Sequence, residues 1–250
     1  MEQKAKNELI RRIQERVMVR IANQYERKFT RILRTSYREA SREYARSGMF
    51  EGSVKEASLV LEKPLYEMMI TGFGTAQGIT ERLIADKKGW NFKRDQAMFD
   101  LMMQEYARKF TAEKIKQITA GTKNEITRIV RIGMLENLTY ADIGEQINRA
   151  GVGSSQIRGH IIARTECHSA VSAGSFETAK QSAAVRYKDW LFINDDRVRD
   201  NIDFDHTNVQ RVEKEQPFIV SGEQMMFPGD SSLGASAGNI IMCRCYMNYT

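Results

Sequence analysis

The sequence predicts an α+β protein: a mainly helical N-terminal two-thirds with one long basic helix, then a small C-terminal α+β domain with a short antiparallel sheet. Three observations carry this prediction. Residues 3–47 contain neither proline nor glycine, and their apolar side chains recur at helical spacing. Helical periodicity then continues, with brief interruptions, to about residue 183. Beyond that point short β-rich runs alternate with turn residues, and Pro217 and Pro228 both fall there. The division expected is a helical domain over 1–155 and an α+β domain over 156–250.

A chain of 250 residues, 42% of them hydrophobic, can bury a real core. No run approaches the roughly 18 uninterrupted apolar residues that a membrane span needs. The first residues, "MEQKAKNELIRRIQERV", lack the apolar centre of a secretion signal. The expectation is a soluble protein of a cytoplasm-like compartment, with no membrane partner. Cys167, Cys243 and Cys245 are too few for a disulfide framework, and a bridge between the last two would close a strained, tiny loop. Reduced thiols or metal-bound thiolates are the remaining readings.

In the first helix Val17, Ile21, Tyr25, Phe29 and Ile32 span an arc of about 120° at 100° per residue. Arg16, Arg20, Arg27, Arg31, Arg34, Arg38 and Arg42 fall on a neighbouring arc of about 80°. Residues 1–50 hold 13 Lys/Arg against 6 Asp/Glu, and the other 200 hold 25 against 26, so the whole positive excess sits here. Such a stripe is either a solvated face with partners such as Glu39 and Glu43, or a surface that meets phosphate or an acidic protein.

"SGMFEGS" (47–53) ends this helix, and a second helical segment is expected to start after Pro64, which suits a first-turn position. In "TGFGTAQG" no lysine follows and no strand precedes, so close helix packing explains Gly72, Gly74 and Gly78 better than a phosphate loop does. "KKGWNF" (87–92) marks the next break, followed by helical periodicity through "RDQAMFDLMMQEYARKFTAEKIKQITAG" and "TKNEITRIVRIGML". Thr139 is placed to cap the following helix, with Ile143 and Ile147 facing inward. "AGVGSS" then reads as a turn, with Ser154 or Ser155 capping another helix, a pattern shared with helix-turn-helix DNA readers. The polar readers available there are only Gln156, Arg158 and His160.

The C-terminal runs "VRYKDWLFI" (185–193), "PFIVS" (217–221) and "NIIMCRCYMNY" (239–249) read as strands packed against the helix bearing "ARTECHSAVSAGSFETAK". On a strand Cys243 and Cys245 would face one way and Arg244 the other. Two such thiolates suit a metal, with His206 as third donor and Asp195, Asp196, Asp203 or Asp205 as fourth. Equally, both cysteines suit the buried face of a sheet. A third arrangement sets His206, Arg199 and Asp195 around a phosphate, with Arg164 and Glu166 joining from the helix.

Five short motifs stand here in one order: "ARTE" (163–166), "DWLFINDDRVR" (189–199), His206, "PFIVSGEQMMFPGD" (217–230) and "NIIMCRC" (239–245). Together they resemble the phage Mu F-like family of head morphogenesis proteins, also called minor head or minor capsid proteins. The resemblance covers residues 120–250 and includes "LTYADIGEQI" ahead of "IARTE". Its motif positions are Arg164, Glu166, Trp190, Asp195, Arg199, His206, Pro228, Asp230, Cys243, Arg244 and Cys245. "DNIDFD" separates Arg199 from His206 by more than the family spacing, so the fold must decide where His206 lies.

The resemblance implies a structural minor head protein of a tailed bacteriophage, assembled in the host cytoplasm and resident in the virion, at the portal vertex and capsid interior. Its implied roles are head morphogenesis and DNA packaging or ejection. The implied partners are the portal protein, the major capsid or scaffold protein, and packaged double-stranded DNA along the seven arginines. Neither catalysis nor a cofactor comes with the family; zinc is the ion that His206, Cys243 and Cys245 would take. The alternative is a nuclease or other hydrolase centred on His206 and Asp195, with a Cys243/Cys245 metal site.

Overall fold

A computed structural model describes residues 2–88 and 95–250. Four long helices come first: α1 (Glu2–Ser47), α2 (Glu51–Lys88), α3 (Gln96–Leu135) and α4 (Tyr140–Lys180). Then follow β1 (Tyr187–Leu191), β2 (Val212–Glu213), β3 (Phe218–Val220), β4 (Glu223–Met225), the short α5 (Ala237–Ile240) and β5 (Tyr246–Tyr249). The α+β class expected from the sequence is the class observed. No helix among the described residues is long and apolar enough to cross a membrane.

Helix α1 stops where glycine permits it. Gly48 takes φ +71 and donates its N–H to Tyr44 O at 2.8 Å, a left-handed C-terminal cap. Its apolar arc is consumed by the protein's own core: Ile21, Tyr25 and Phe29 are buried, while Val17 and Ile32 are half-buried. All seven arginines of the neighbouring stripe are exposed.

Two expected breaks are absent. Pro64 lies inside α2 rather than ahead of it. Proline deprives the carbonyl four residues earlier of its partner, and that residue, Val60, is 52% exposed, so water can take the bond. Leu61, Leu65, Met68 and Met69 are buried on the other face and carry the helix through. "AGVGSS" is likewise helical, since α4 runs unbroken from Tyr140 to Lys180. Ser155 caps nothing and donates to Gly151 O, four residues back. The helix-turn-helix reading is thereby corrected. The two periodic stretches before it also form the single helix α3. The "KKGWNF" break falls mostly outside the described residues, although α2 ends at Lys88.

Thr139 does cap α4. Its Oγ1 accepts the Asp142 N–H at 3.2 Å while Asp142 Oδ2 accepts the Thr139 N–H at 3.2 Å, a reciprocal capping box.

The chain divides into two compact units that cut across all four long helices. One comprises Met1–Ala22, Met69–Glu105 and Arg164–Thr250; the other comprises Asn23–Met68 and Tyr106–Ala163. The core of the second packs Tyr37, Tyr44, Phe50, Ile126, Ile143 and Ile147 together. There a Cβ on Gly151 would stand 2.2 Å from the Tyr37 Cβ, so glycine here serves helix contact rather than a turn.

The first unit carries both sheets. One is three-stranded and antiparallel in the order β2-β1-β5, with Trp190 opposite Met247 and Lys188 opposite Tyr249. The other is the β3-β4 hairpin, closed by Ser221 (φ +50) and Gly222 (φ +79), whose paired positive φ values match a type I′ turn. The last part of α4 packs on them: Ser169 Oγ donates to Gly229 O at 2.8 Å, and Ser175 Oγ meets the Tyr249 hydroxyl at 3.0 Å. Gly72 sits close to Ala170 in the same unit, as expected; Gly74 meets only the Met103 sulfur, and Gly78 faces open space.

Candidate metal centre

The run "NIIMCRCYMNY" is not one strand. Asn239 and Ile240 belong to α5, Met242 takes φ +57, and only Tyr246–Tyr249 enters the sheet. Cys243 and Cys245 therefore lie in an irregular segment ahead of β5. The segment is anchored by Met242, whose N–H donates to Thr165 Oγ1 of α4 at 3.1 Å.

His206 arrives by a separate route. Asp200 and Asp205 form an isolated antiparallel bridge, and the His206 N–H donates to Arg199 O at 2.8 Å. "DNIDFD" is thus a closed excursion, capped by Asn201 Oδ1 on the N–H groups of Asp203 and Phe204, which returns the chain to its starting point. The longer spacing leaves His206 able to reach the cysteines.

The three side chains converge. Nδ1 of His206 lies 3.3 Å from Cys245 Sγ and 3.7 Å from Cys243 Sγ, and the donor atoms all lie within 4.8 Å of one another. Exposures of 1% for His206, 3% for Cys243 and 5% for Cys245 place the group inside the protein. Trp190 packs edge-on against the imidazole, ring centroids 5.6 Å apart. Its indole N–H makes no hydrogen bond of ordinary geometry, yet it lies near enough to Cys245 to favour the thiolate.

The two thiols differ electrostatically. A hydrogen bond from Cys245 holds the Cys243 thiol well below the usual range, against the opposing effect of burial. Burial, reinforced by the neighbouring Cys243, pushes Cys245 well above it. One negative charge therefore forms readily on the pair, and a second needs a cation beside it. Cys167 is different: burial raises it to about 12, and its Sγ donates to Met18 O at 3.5 Å, as befits an inert core thiol.

The expected fourth donors do not join. Asp195 is held by a bidentate pair with Arg244, at 2.8 and 2.5 Å. Asp205 caps Thr207 through its N–H at 2.8 Å and Oγ1 at 2.7 Å. Asp196 and Asp203 are exposed. Among the described residues the grouping contains three protein donors. The phosphate arrangement is not assembled either: His206 is buried, Asp195 is neutralised by Arg244, and Arg199 spends a guanidinium N–H on Ile241 O. Arg164 and Glu166 lie on α4, half-buried and buried, and the motif reaches the C-terminal segment through Thr165. Pro228 is buried, and Asp230 caps its own turn by accepting from the N–H groups of Met226 and Ser232, each at 2.8 Å.

The group can hold a metal ion. Two sulfurs and an imidazole nitrogen form a soft donor set, and hydrogen bonds anchor both flanking segments. The order sulfur–imidazole–amide, completed by Asn239 at 3.0 Å from His206 Nε2, is also that of a Cys-His-Asn nucleophile. A nucleophile must meet its substrate, whereas an ion needs only its donors, and both thiols are buried.

Sequence reading missed four residues of this region: Asn239, Glu223, His168 and Lys188. His168 donates from Nε2 to Cys245 O at 2.8 Å, inside the core. Asn239 stands within a quoted motif, but its role depends on partners 16 and 33 residues away.

No protein-family model matches the chain. No curated protein matches it, and no solved structure does.

Proposed function

We propose that this chain is a structural minor head protein of a tailed bacteriophage, acting at the portal vertex and capsid interior in head morphogenesis and in DNA packaging or delivery. One observation carries the reading: the five motifs behind the family resemblance interlock in a single module. Thr165 of the first holds Met242 of the last. Trp190 packs on His206, Asp195 pairs with Arg244, and His206 faces both cysteines. Motifs that depend on one another physically are expected to occur together, and their product here is a closed, buried knot suited to a structural part.

The knot takes a zinc ion through His206 Nδ1 and the thiolates of Cys243 and Cys245. Bound there, zinc supplies cross-linking between the loop after β1 and the segment before β5.

The arginine face of α1 is the contact surface in this reading. Its apolar arc is already largely spent on the core, which favours the arginine face as the contact. Arg38 and Arg42 pair with Glu39 at 3.2 and 3.1 Å, whereas Glu43 is taken by Ser53. Among the described residues Arg16, Arg20, Arg27, Arg31 and Arg34 have no acidic partner. Their charge is available to DNA phosphates or to an acidic protein face.

Quantitative mass spectrometry of purified particles tests the assignment. A small, defined number of copies per portal ring is expected, and absence from both particles and procapsids overturns it. Replacing Arg27, Arg31, Arg34 and Arg38 by Ser should leave folding intact and reduce head incorporation or DNA content. If DNA is the contact, the salt dependence of duplex binding should flatten by a slope of about 3–4, at roughly 0.9 per phosphate contact.

A further inference from the structure

The hydrogen bonds around His206 settle its tautomer without reference to any ion. The side-chain amide of Asn239 has three neighbours: His206 Nε2 at 3.0 Å, Glu223 Oε2 at 2.6 Å and Val220 O at 3.3 Å. The last two accept only. The NH₂ group of Asn239 must therefore face them, and its oxygen must face the imidazole. Turning the amide over would set three oxygens together with no proton between them. It follows that His206 Nε2 carries the hydrogen and donates it to Asn239. In the neutral ring Nδ1 is then a bare lone pair, and it is this atom that faces both sulfurs.

Glu223 is itself held in place. The same oxygen, Oε2, accepts the N–H of Ser236 at 2.8 Å, its hydroxyl at 3.1 Å and the Asn239 amide. Asn239 is wholly buried, so its orientation has no competitor in water. The chain Ser236–Glu223–Asn239–His206 runs from the β3-β4 hairpin and α5 to the donor set.

We propose that Asn239 and Glu223 are the positioning residues of a site for a thiophilic divalent ion, presenting the His206 Nδ1 lone pair beside the Cys243 and Cys245 thiolates. This inference rests on the zinc reading above and adds the residues that prepare the nitrogen ligand. Binding releases the thiol protons to solvent, and the imidazole has none to lose at Nδ1.

The test uses the full chain, freshly reduced and metal-free, with zinc affinity read by chelator competition and cobalt(II) as spectroscopic probe. Wild type should bind one ion with a thiolate-to-cobalt charge-transfer band. Asn239→Ala and Glu223→Ala should each bind ~10–100-fold more weakly, as removal of such orienting partners does, with altered cobalt ligand-field bands. Glu223→Gln should recover affinity to within a few-fold, because one amide oxygen can still take all three bonds. If Asn239→Ala fails to fold, the two Glu223 variants carry the comparison, with far-ultraviolet circular dichroism reporting the fold. Failure of wild type to bind zinc or cobalt overturns the metal reading and this inference together. Tight wild-type binding with unchanged affinity and spectra in Asn239→Ala and Glu223→Ala overturns the inference alone.

Discussion

Replacing Lys188 by Met should change how stability depends on pH, and the structure sets the size of the change. Lys188, on β1, is fully buried. Its ammonium lies 4.6 Å from the Phe176 ring centroid and 4.7 Å from that of Phe218, and it donates to Met226 O at 2.6 Å. Burial lowers its pKa from 10.5 to about 7, opposed by the negative charge of Asp230. Between those values the unfolded chain binds a proton that the folded chain does not. Stability contributed by this group therefore rises with pH across that window, is complete above about 10.5, and reaches its minimum below about 7. Integrating the linkage from about pH 7 to about pH 9 gives a gain of roughly 2 kcal/mol, at 1.36 kcal/mol per pKa unit.

Met fills nearly the same volume and does not titrate. It leaves the Met226 carbonyl without its donor, at a cost of about 1–3 kcal/mol, and that cost is the same at both pH values. The assay is urea unfolding of wild type and Lys188→Met at the two pH values. The quantity compared is the change in their stability difference, in which the carbonyl and all other titrations cancel. Wild type should gain about 2 kcal/mol on the variant between the lower and the higher pH. A difference constant to within about 0.5 kcal/mol, inside the spread of such measurements, would show that Lys188 is charged throughout and refute the reasoning.

Two glycines two positions apart on the same helix should respond in opposite ways. Gly151→Ala drives a Cβ to 2.2 Å from the Tyr37 Cβ and should cost about 1–3 kcal/mol in chemical denaturation. Gly153 has nothing within 4 Å, so Gly153→Ala should stabilise by about 0.5–1 kcal/mol; destabilisation there would restore the turn. Thr139→Ala removes one side of the capping box and should lower stability by about 1 kcal/mol, and no measurable loss in thermal unfolding would mean that Asp142 holds the helix end unaided.

Several features were legible in the sequence because they are decided within a turn or two of the chain. The length of α1, its glycine stop, the outward arginine stripe and the Thr139 cap each depend on residues no more than about four apart. The pairing of His206 with the cysteines was also named in advance, since few residue types can bind a soft ion. Its completion was not. Asp195 looked available until Arg244, 49 residues later, was seen to occupy it.

Tertiary structure alone decided the rest, and the physical reason is common to all of it. Pro64 and "AGVGSS" are local breakers by propensity, worth about 1–3 kcal/mol each. Buried Leu61 and Leu65 on one helix, and the fit of Gly151 against Tyr37 on another, outweigh them. The Asn239 amide can point either way in an extended chain, and only Glu223 and Val220, brought beside it by the β3-β4 hairpin, make one orientation tenable. Nothing near Lys188 in the chain marks it for burial; Phe176 and Phe218, which lie against it, are 12 and 30 residues away. What lies within a helical turn is set by the chain itself; what removes a group from water is set by residues that sequence distance conceals.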